Sequence, residues 1–149
     1  MSLHIPIIEL LGYSNRLYNR NLGGITHEDS VRELQGGGNK INWIAGHILV
    51  SRDSFRKALG IEKKVPERIT EIYKRGSNDI TAESAANLAE IIEICNASQN
   101  EIVEAVKSAK LEPDTERFDT LLFLCFHESY HVGQLGLARR ALGFEGTIK

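Results

Sequence analysis

The sequence predicts an all-α protein that folds as a four-helix bundle. Apolar residues recur at three- and four-residue steps along four long stretches, as on the buried face of an amphipathic helix. No stretch alternates polar and apolar residues in the manner of a half-buried strand. The 149 residues fit one domain, spanning 1–149, that is long enough to bury a substantial core.

The first predicted helix runs from about Leu3 to Leu22 and ends at Gly23-Gly24. A short helix over His27–Gln35 follows it. The glycine run 36–38 is predicted to be a flexible hinge and not a phosphate loop, because no strand precedes it and no G-K-[ST] follows it.

The second predicted helix begins near Asn39, a favourable N-cap residue, and ends at Gly60. Trp43 lies beside its apolar face and is predicted to be a core residue or the wall of a pocket. The connection from Gly60 to Ile80 is long for antiparallel neighbours, which need roughly 2–8 residues. This length favours a crossover between two parallel helices. The apolar face itself consists of Ile41, Ile44, Ala45, Ile48, Phe55 and Leu59.

The last two long helices carry equally regular apolar patterns. The third is predicted from about Ala82, capped by Thr81, to Ala109, and the fourth follows the residues 113–115 and ends at Leu142. Gly143 provides the C-terminal stop of the fourth helix. The apolar positions of the third helix are Leu88, Ile91, Ile92, Cys95, Ile102 and Val106.

The composition indicates an ordinary globular protein and excludes several classes of function. A net charge of −2 without a basic stripe gives no reason to expect a nucleic-acid partner. The apolar stretch Ile5–Leu11 is too short for a membrane span and lacks the basic flank of a signal peptide. Cys95 and Cys125 lack C-x-x-C spacing, which favours reduced core thiols in a cytoplasmic protein.

The segment His127-Glu128-Ser129-Tyr130-His131 carries the strongest chemical signal in the chain. Its two histidines stand four residues apart, so a helix places both imidazoles on one face, where they can share a metal ion. The same letters spell the H-E-x-x-H pattern of zinc metalloproteases, in which Glu128 would be the general base. Such a protease takes its third ligand downstream, where Gln134 and the near-terminal Glu145 are unsuitable. The third ligand is therefore expected upstream.

His47 is the best upstream candidate. Of the other histidines, His4 lies near the start of the sequence and His27 lies in a polar connection, whereas His47 lies in the apolar run Ile41–Leu49. A buried imidazole needs partners for its nitrogens, which a metal, a backbone carbonyl or a carboxylate can supply. In combination with the pair on the fourth helix, the sequence favours a three-histidine metal site.

Several segments closely resemble a known family. Phe126 to Leu135 resembles the fourth-helix signature of the DinB/YfiT-like metalloenzymes, which reads approximately N-H-x-x-Y-H-x-G-Q. Phe126 stands where that pattern often has Asn, which changes a contact behind the ligands and not the ligands. Further segments that are similar to the family lie in the first helix, in the second helix and before the third helix, at Tyr13–Leu17, Asn42–His47 and Tyr73–Ser77 with Thr81.

The resemblance implies an up-down-down-up bundle that is frequently a homodimer. It also implies a divalent metal held by His47, His127 and His131. Members of the family include thiol-dependent S-transferases and isomerases that use bacillithiol or mycothiol, and many members that have no assigned substrate.

Three neutral imidazoles in tetrahedral geometry leave one position open to water. The metal can acidify that water or keep a thiolate deprotonated. We therefore expect a metal-dependent transferase or hydrolase acting on a small molecule, with zinc, nickel, iron, cobalt or manganese as the ion and a low-molecular-weight thiol as a possible co-substrate. The alternatives are a non-enzymatic metal or small-molecule binding bundle, or a structural dimer whose histidines are relics.

Two neighbouring side chains are candidates for catalytic roles. Gln134 shares the face of His127 and His131, so it is predicted to orient a ligand, bind substrate or bond a neighbouring helix. Glu128 is rotated by about 100° from His127, which favours an inter-helix or ligand-supporting role over that of a base. Tyr130 is predicted to be a packed aromatic residue.

Overall fold

The computed structural model of the chain describes residues 2–77 and 80–147. Within these ranges the chain has six α-helices and no strand, so the all-α prediction is confirmed. None of the helices in the same ranges is long and apolar enough to cross a membrane. The helices are α1 (His4–Leu22), α2 (His27–Ser30), α3 (Ile41–Leu59), α4 (Glu67–Tyr73), α5 (Leu88–Ser108) and α6 (Glu116–Ala141).

The four long helices α1, α3, α5 and α6 enclose the core. α6 packs against α1 and α3, and α5 packs against the same two helices, while the short α4 lies on α3. The buried apolar residues form two clusters. The proximal core lies towards the start of α3 and includes Trp43, Ile48, Tyr73 and Leu135. The distal core lies towards the end of α3 and includes Phe55, Ile102 and Leu121.

The first and last long helices lie where the sequence predicts them. α1 begins one residue after the predicted start, and α6 begins after Thr115, whose hydroxyl accepts a hydrogen bond from the Phe118 amide at 3.3 Å. The left-handed φ of 89° at Gly143 ends the last helix, since an L side chain rarely adopts it. Cys95 and Cys125 are buried and free, as predicted. Burial raises the pKa of Cys95 to about 11 and of Cys125 to about 12, so both remain protonated core thiols.

The predicted start of the third long helix at Ala82 is wrong. Thr81 and Ser84 instead form a turn with reciprocal hydrogen bonds between amides and hydroxyls, at 2.9 and 3.2 Å. The Ala86 amide then donates to the Tyr73 hydroxyl at 2.8 Å, a tertiary contact that interrupts any helical continuation. α5 begins only after Asn87, whose side chain caps it.

Two further boundaries differ from the prediction. Lys40, not Asn39, precedes α3, and its ammonium group donates to the Ile80 carbonyl at 2.7 Å. The helix predicted over His27–Gln35 stops at Ser30. Ser30 turns into the core, where its hydroxyl donates to the His27 carbonyl at 2.6 Å and accepts from Asn42 at 3.2 Å.

α4 lies inside the stretch that the sequence predicted to be a plain connection. It has seven residues, of which only Ile69 and Tyr73 are buried. Two apolar residues four apart are too few to give a periodic signal. The helix forms because tertiary contacts with α3 stabilise it, since a single short helix is unstable in water.

Candidate metal centre

Three histidines on two helices bring their nitrogens to one point. α3 supplies His47, and α6 supplies His127 and His131 one turn apart. The Nε2 atoms of His47 and His127 are 3.3 Å apart, and those of His127 and His131 are 3.2 Å apart. The ligand atoms of all three residues lie within 4.8 Å of one another. The structure therefore brings together the three histidines that the sequence predicted to be metal ligands.

The spacing of these nitrogens fits a divalent metal. Zinc–nitrogen bonds of about 2.0–2.1 Å in a tetrahedron place neighbouring ligand nitrogens roughly 3.3–3.4 Å apart. The two measured separations, 3.3 and 3.2 Å, are close to this length. The three histidines could hold such an ion with little movement.

Hydrogen bonds to the far side of two rings determine which nitrogens face the centre. His47 Nδ1 lies 2.9 Å from the Tyr73 carbonyl oxygen, and His131 Nδ1 lies 2.8 Å from Gln134 Oε1. Because both oxygens can only accept, each Nδ1 carries the hydrogen and each Nε2 presents a lone pair. Second partners of this kind fix the ring orientation of metal-binding histidines.

The lone pairs of the centre need a positive partner. His47 and His131 both present theirs, and a proton on His127 Nε2 can satisfy only one of the two. His127 Nδ1 is buried and has no hydrogen-bond partner among the residues that the structure describes. A cation between the three Nε2 atoms would accept one lone pair from each of them at once. This is the chemistry that the donor set supports.

Burial keeps two of the histidines neutral. Desolvation lowers the pKa of His127, and electrostatic interactions with His47 and Arg75 lower it further. Desolvation also lowers the pKa of His131 to about 4, although the hydrogen bond with Gln134 opposes the shift. Neutral imidazoles at pH 7 are ready to coordinate a metal.

Aromatic side chains surround the three histidines. The Trp43 ring stacks on His47, with centroids 4.7 Å apart and an angle of 10° between the rings. Tyr130 lies edge-on to His131 at 5.1 Å, and Phe123 lies 6.0 Å from His127. Trp43 is buried, whereas Tyr130 is 56% and Phe123 60% exposed. Trp43 therefore forms the inner wall, and the other two rings form an outer rim. The prediction that Tyr130 is a packed aromatic residue is wrong, because more than half of its surface is exposed.

Glu128 lies in a buried ion pair. Its Oε1 accepts a hydrogen bond from Arg52 Nη2 at 2.8 Å, and the side chains are 1% and 0% exposed respectively. Burial raises the pKa of Glu128, and the charge on Arg52 opposes that shift. The pair joins α6 to α3. This is the inter-helix role that the sequence favoured for Glu128, because the residue is rotated away from His127 on the helix.

The remaining polar candidates have distinct partners. Gln134 bonds within its own helix, to His131 and, through Nε2, to the Tyr130 hydroxyl at 3.1 Å. His4 bonds to the Ala109 carbonyl at 2.8 Å, and His27 Nδ1 accepts from the Leu88 amide at 3.3 Å. Gln134 thus supports a ligand of the centre, while His4 and His27 fasten other parts of the fold.

Comparison with family models, curated proteins and solved structures finds no match to this chain. The likeness to the DinB/YfiT-like family therefore rests on the sequence motifs alone. The case for a metal centre rests on the geometry of His47, His127 and His131.

The metal-free protein should lose stability as the pH falls from about 6.5 to about 4. The unfolded chain protonates His131 near its ordinary pKa of 6.5, while the folded protein resists protonation until about 4. Protons in this window therefore favour the unfolded state. Urea unfolding of metal-free protein at several pH values checks the effect. His131→Gln should flatten the slope and His4→Gln should not; equal slopes in all three proteins would contradict the assignment.

Proposed function

We propose that this chain is a divalent-metal-dependent enzyme that acts on a small molecule, by thiol S-transfer or by hydrolysis. The observation that supports the proposal most strongly is the convergence of three Nε2 atoms, two of them on rings whose Nδ1 is already bonded. Within the described ranges the cluster holds three protein ligands, not four. Three ligands are typical of catalytic zinc sites, whereas structural sites are closed by a fourth.

The surroundings of the centre support a role in binding an anionic reactant. After desolvation and His47, the positive charge of Arg75 also lowers the pKa of His127, and the same charge would stabilise an anion near this histidine. Exposed Phe123 offers apolar contact to an organic substrate beside His127. A bound metal would lower the pKa of a thiol or a water molecule. A thiolate and a metal-bound hydroxide are both anionic, so the Arg75 charge would stabilise either nucleophile.

The register between α3 and α5 supports the bundle topology of the DinB/YfiT-like family. Hydrogen bonds join the start of α3 to the turn before α5, and they join later residues of α3 to later residues of α5. This is the order expected for two parallel neighbouring helices. Such a pair requires a long connection, and here that connection contains α4. The hydrogen bonds join Asn42 to Ala86, Arg52 to Gln99 and Arg56 to Glu101.

The other two long helices have the opposite sense. Ser14 and Asn21 on α1 bond to Ser129 and Val132 on α6, again in rising order. Between α6 and α3 the order is reversed. His47 lies beside His127 and His131, whereas later residues of α3 lie towards the start of α6 in the distal core. These registers support an up-down-down-up four-helix bundle.

We also propose a homodimer that pairs the outer face of α6 with a second copy. Phe126, Tyr130 and Leu137 are exposed on one stripe of this helix, and a Cβ at Gly133 on the same stripe would meet nothing within 4 Å. A two-fold axis near the middle of the stripe would set Tyr130 against Gly133 of the partner subunit and Phe126 against the partner's Leu137. Large side chains would then face small or complementary ones, as an isologous interface requires.

Replacing His47 should weaken metal binding far more than replacing Glu128. His47→Ala removes one of three ligands and should lower zinc affinity by orders of magnitude, together with the stability that zinc confers. Glu128→Gln alters only the ion pair with Arg52, so the loss should not exceed about 10–100-fold. Titration calorimetry measures both, with His4→Ala as the matched control. An undiminished zinc affinity in His47→Ala would contradict the three-histidine site.

A small thiol should bind at the centre of the cobalt-substituted protein. Bacillithiol or a simpler thiol should change the visible spectrum through sulfur-to-metal charge transfer, and electrophile conjugation should need both metal and thiol. Arg75→Gln should weaken the spectral response to thiol and leave the cobalt content unchanged. Hydrolysis of esters without thiol would favour the hydrolase reading. Metal binding without either reaction would favour a binding module.

The dimer should dissociate when a charge enters the α6 stripe. Leu137→Lys places a lysine opposite an apolar partner surface, so light scattering at micromolar concentration should give the mass of one chain. Ile5→Lys is the matched control, because Ile5 is also an exposed apolar residue, at 59% against 71% for Leu137, but lies on α1. A wild-type protein that is already monomeric would refute the pairing.

A further inference from the structure

Gly46 and Tyr73 make a very close contact directly beside the centre. A Cβ built at Gly46 would lie 2.4–2.6 Å from Cγ, Cδ1 and Cδ2 of the Tyr73 ring. Real Cβ atoms do not approach other heavy atoms so closely. The ring can therefore pack against α3 only because position 46 lacks a side chain.

The Tyr73 ring is also held at its other end. Its hydroxyl donates to Asn42 Oδ1 at 2.5 Å and accepts from the Ala86 amide at 2.8 Å, and the whole side chain is buried. The ring is therefore fixed at its hydroxyl by two hydrogen bonds and packed at its Cγ end against Gly46, so it cannot rotate away from a new Cβ. An alanine at position 46 would instead displace the end of α4 as a unit.

The backbone of the same tyrosine holds a proposed ligand. The Tyr73 carbonyl accepts the hydrogen bond from His47 Nδ1 at 2.9 Å, and four residues later the Ser77 carbonyl accepts from Trp43 Nε1. Trp43 in turn stacks on His47. The Tyr73–Ser77 segment therefore lies against the side of His47 that faces away from His127.

We propose that Gly46 and Tyr73 are positioning residues of the metal centre. The Tyr73 ring seats against the bare Cα of Gly46, and the seated ring brings its own carbonyl to His47 Nδ1, which turns Nε2 towards His127 and His131. Metal binding and docking of the α4 end then reinforce each other, because coupling between two sites is reciprocal.

The first test uses metal-free protein and so does not depend on the proposed function. Nitrogen-15 NMR of the His47 ring should show the Nδ1–H tautomer in the wild type and a mixture of tautomers in Gly46→Ala. Gly12→Ala is the matched control, since its new Cβ would meet only the flexible end of Arg16, at 3.4 Å. A pure Nδ1–H tautomer in Gly46→Ala would overturn the proposal.

The second test measures zinc affinity and rests on the proposed metal function. Gly46→Ala should lose about 10–100-fold, the usual effect of removing a partner of a ligand. Tyr73→Ala should lose a similar factor, and the double variant should lose no more than Tyr73→Ala alone, because without the ring there is nothing for the new Cβ to strike. Additive losses in the double variant would overturn the coupling.

Two further measurements separate positioning from general stability. Ile102→Ala destabilises the distal core and should leave both zinc affinity and the His47 tautomer unchanged; an equal loss of affinity there would overturn the proposal.

If Gly46→Ala fails to fold, hydrogen exchange in the wild type tests the proposal instead: zinc should slow exchange of the Ile69 to Tyr73 amides at least tenfold. Unchanged exchange in zinc-bound protein would overturn it. If wild-type protein binds no zinc, the proposed function fails, and the tautomer measurement still tests the positioning.

Discussion

The candidate metal centre depends on holding three imidazole nitrogens together at the junction of two helices, with His127 Nε2 3.3 Å from that of His47 and 3.2 Å from that of His131. Bare lone pairs at that distance do not attract one another, so the surrounding chain must keep them there. It does so from behind two of the three rings: a backbone carbonyl holds His47 and an amide oxygen holds His131, while Trp43 stacks on the side of His47. Preorganisation of this kind lets an arriving cation gain its full coordination energy without reordering the protein.

Glu128, which directly follows His127 in α6, shows how one helix performs two tasks. His127 directs its ring to the centre, while the next residue, Glu128, reaches Arg52 in the interior. Removing one member of such a pair typically costs about 3–5 kcal/mol, because the other charge is left buried. The pair therefore fixes the position of α6 on α3, and with it the distance from His47 to the ligands on α6.

The long helices and the three histidines could be predicted from the sequence because their signals are local or periodic. The i, i+4 spacing of His127 and His131 needs only helical geometry, and an imidazole in an apolar run singles out His47. Tyr73 could not be found in this way, because its contribution to the centre is a backbone carbonyl that any residue could offer. The start of α5 was missed for a related reason: the tyrosine hydroxyl takes the Ala86 amide, a contact between residues that are distant in sequence.

The central claim is that three imidazoles, all bonding through Nε2, form the protein side of a metal centre. X-ray absorption spectroscopy of zinc-loaded protein tests it most directly, because the fine structure reports the type, number and distance of the ligands. The account predicts three imidazole nitrogens at about 2.0–2.1 Å and one oxygen ligand from water. A first shell with sulfur from Cys95 or Cys125, or with fewer than three imidazoles, would contradict it.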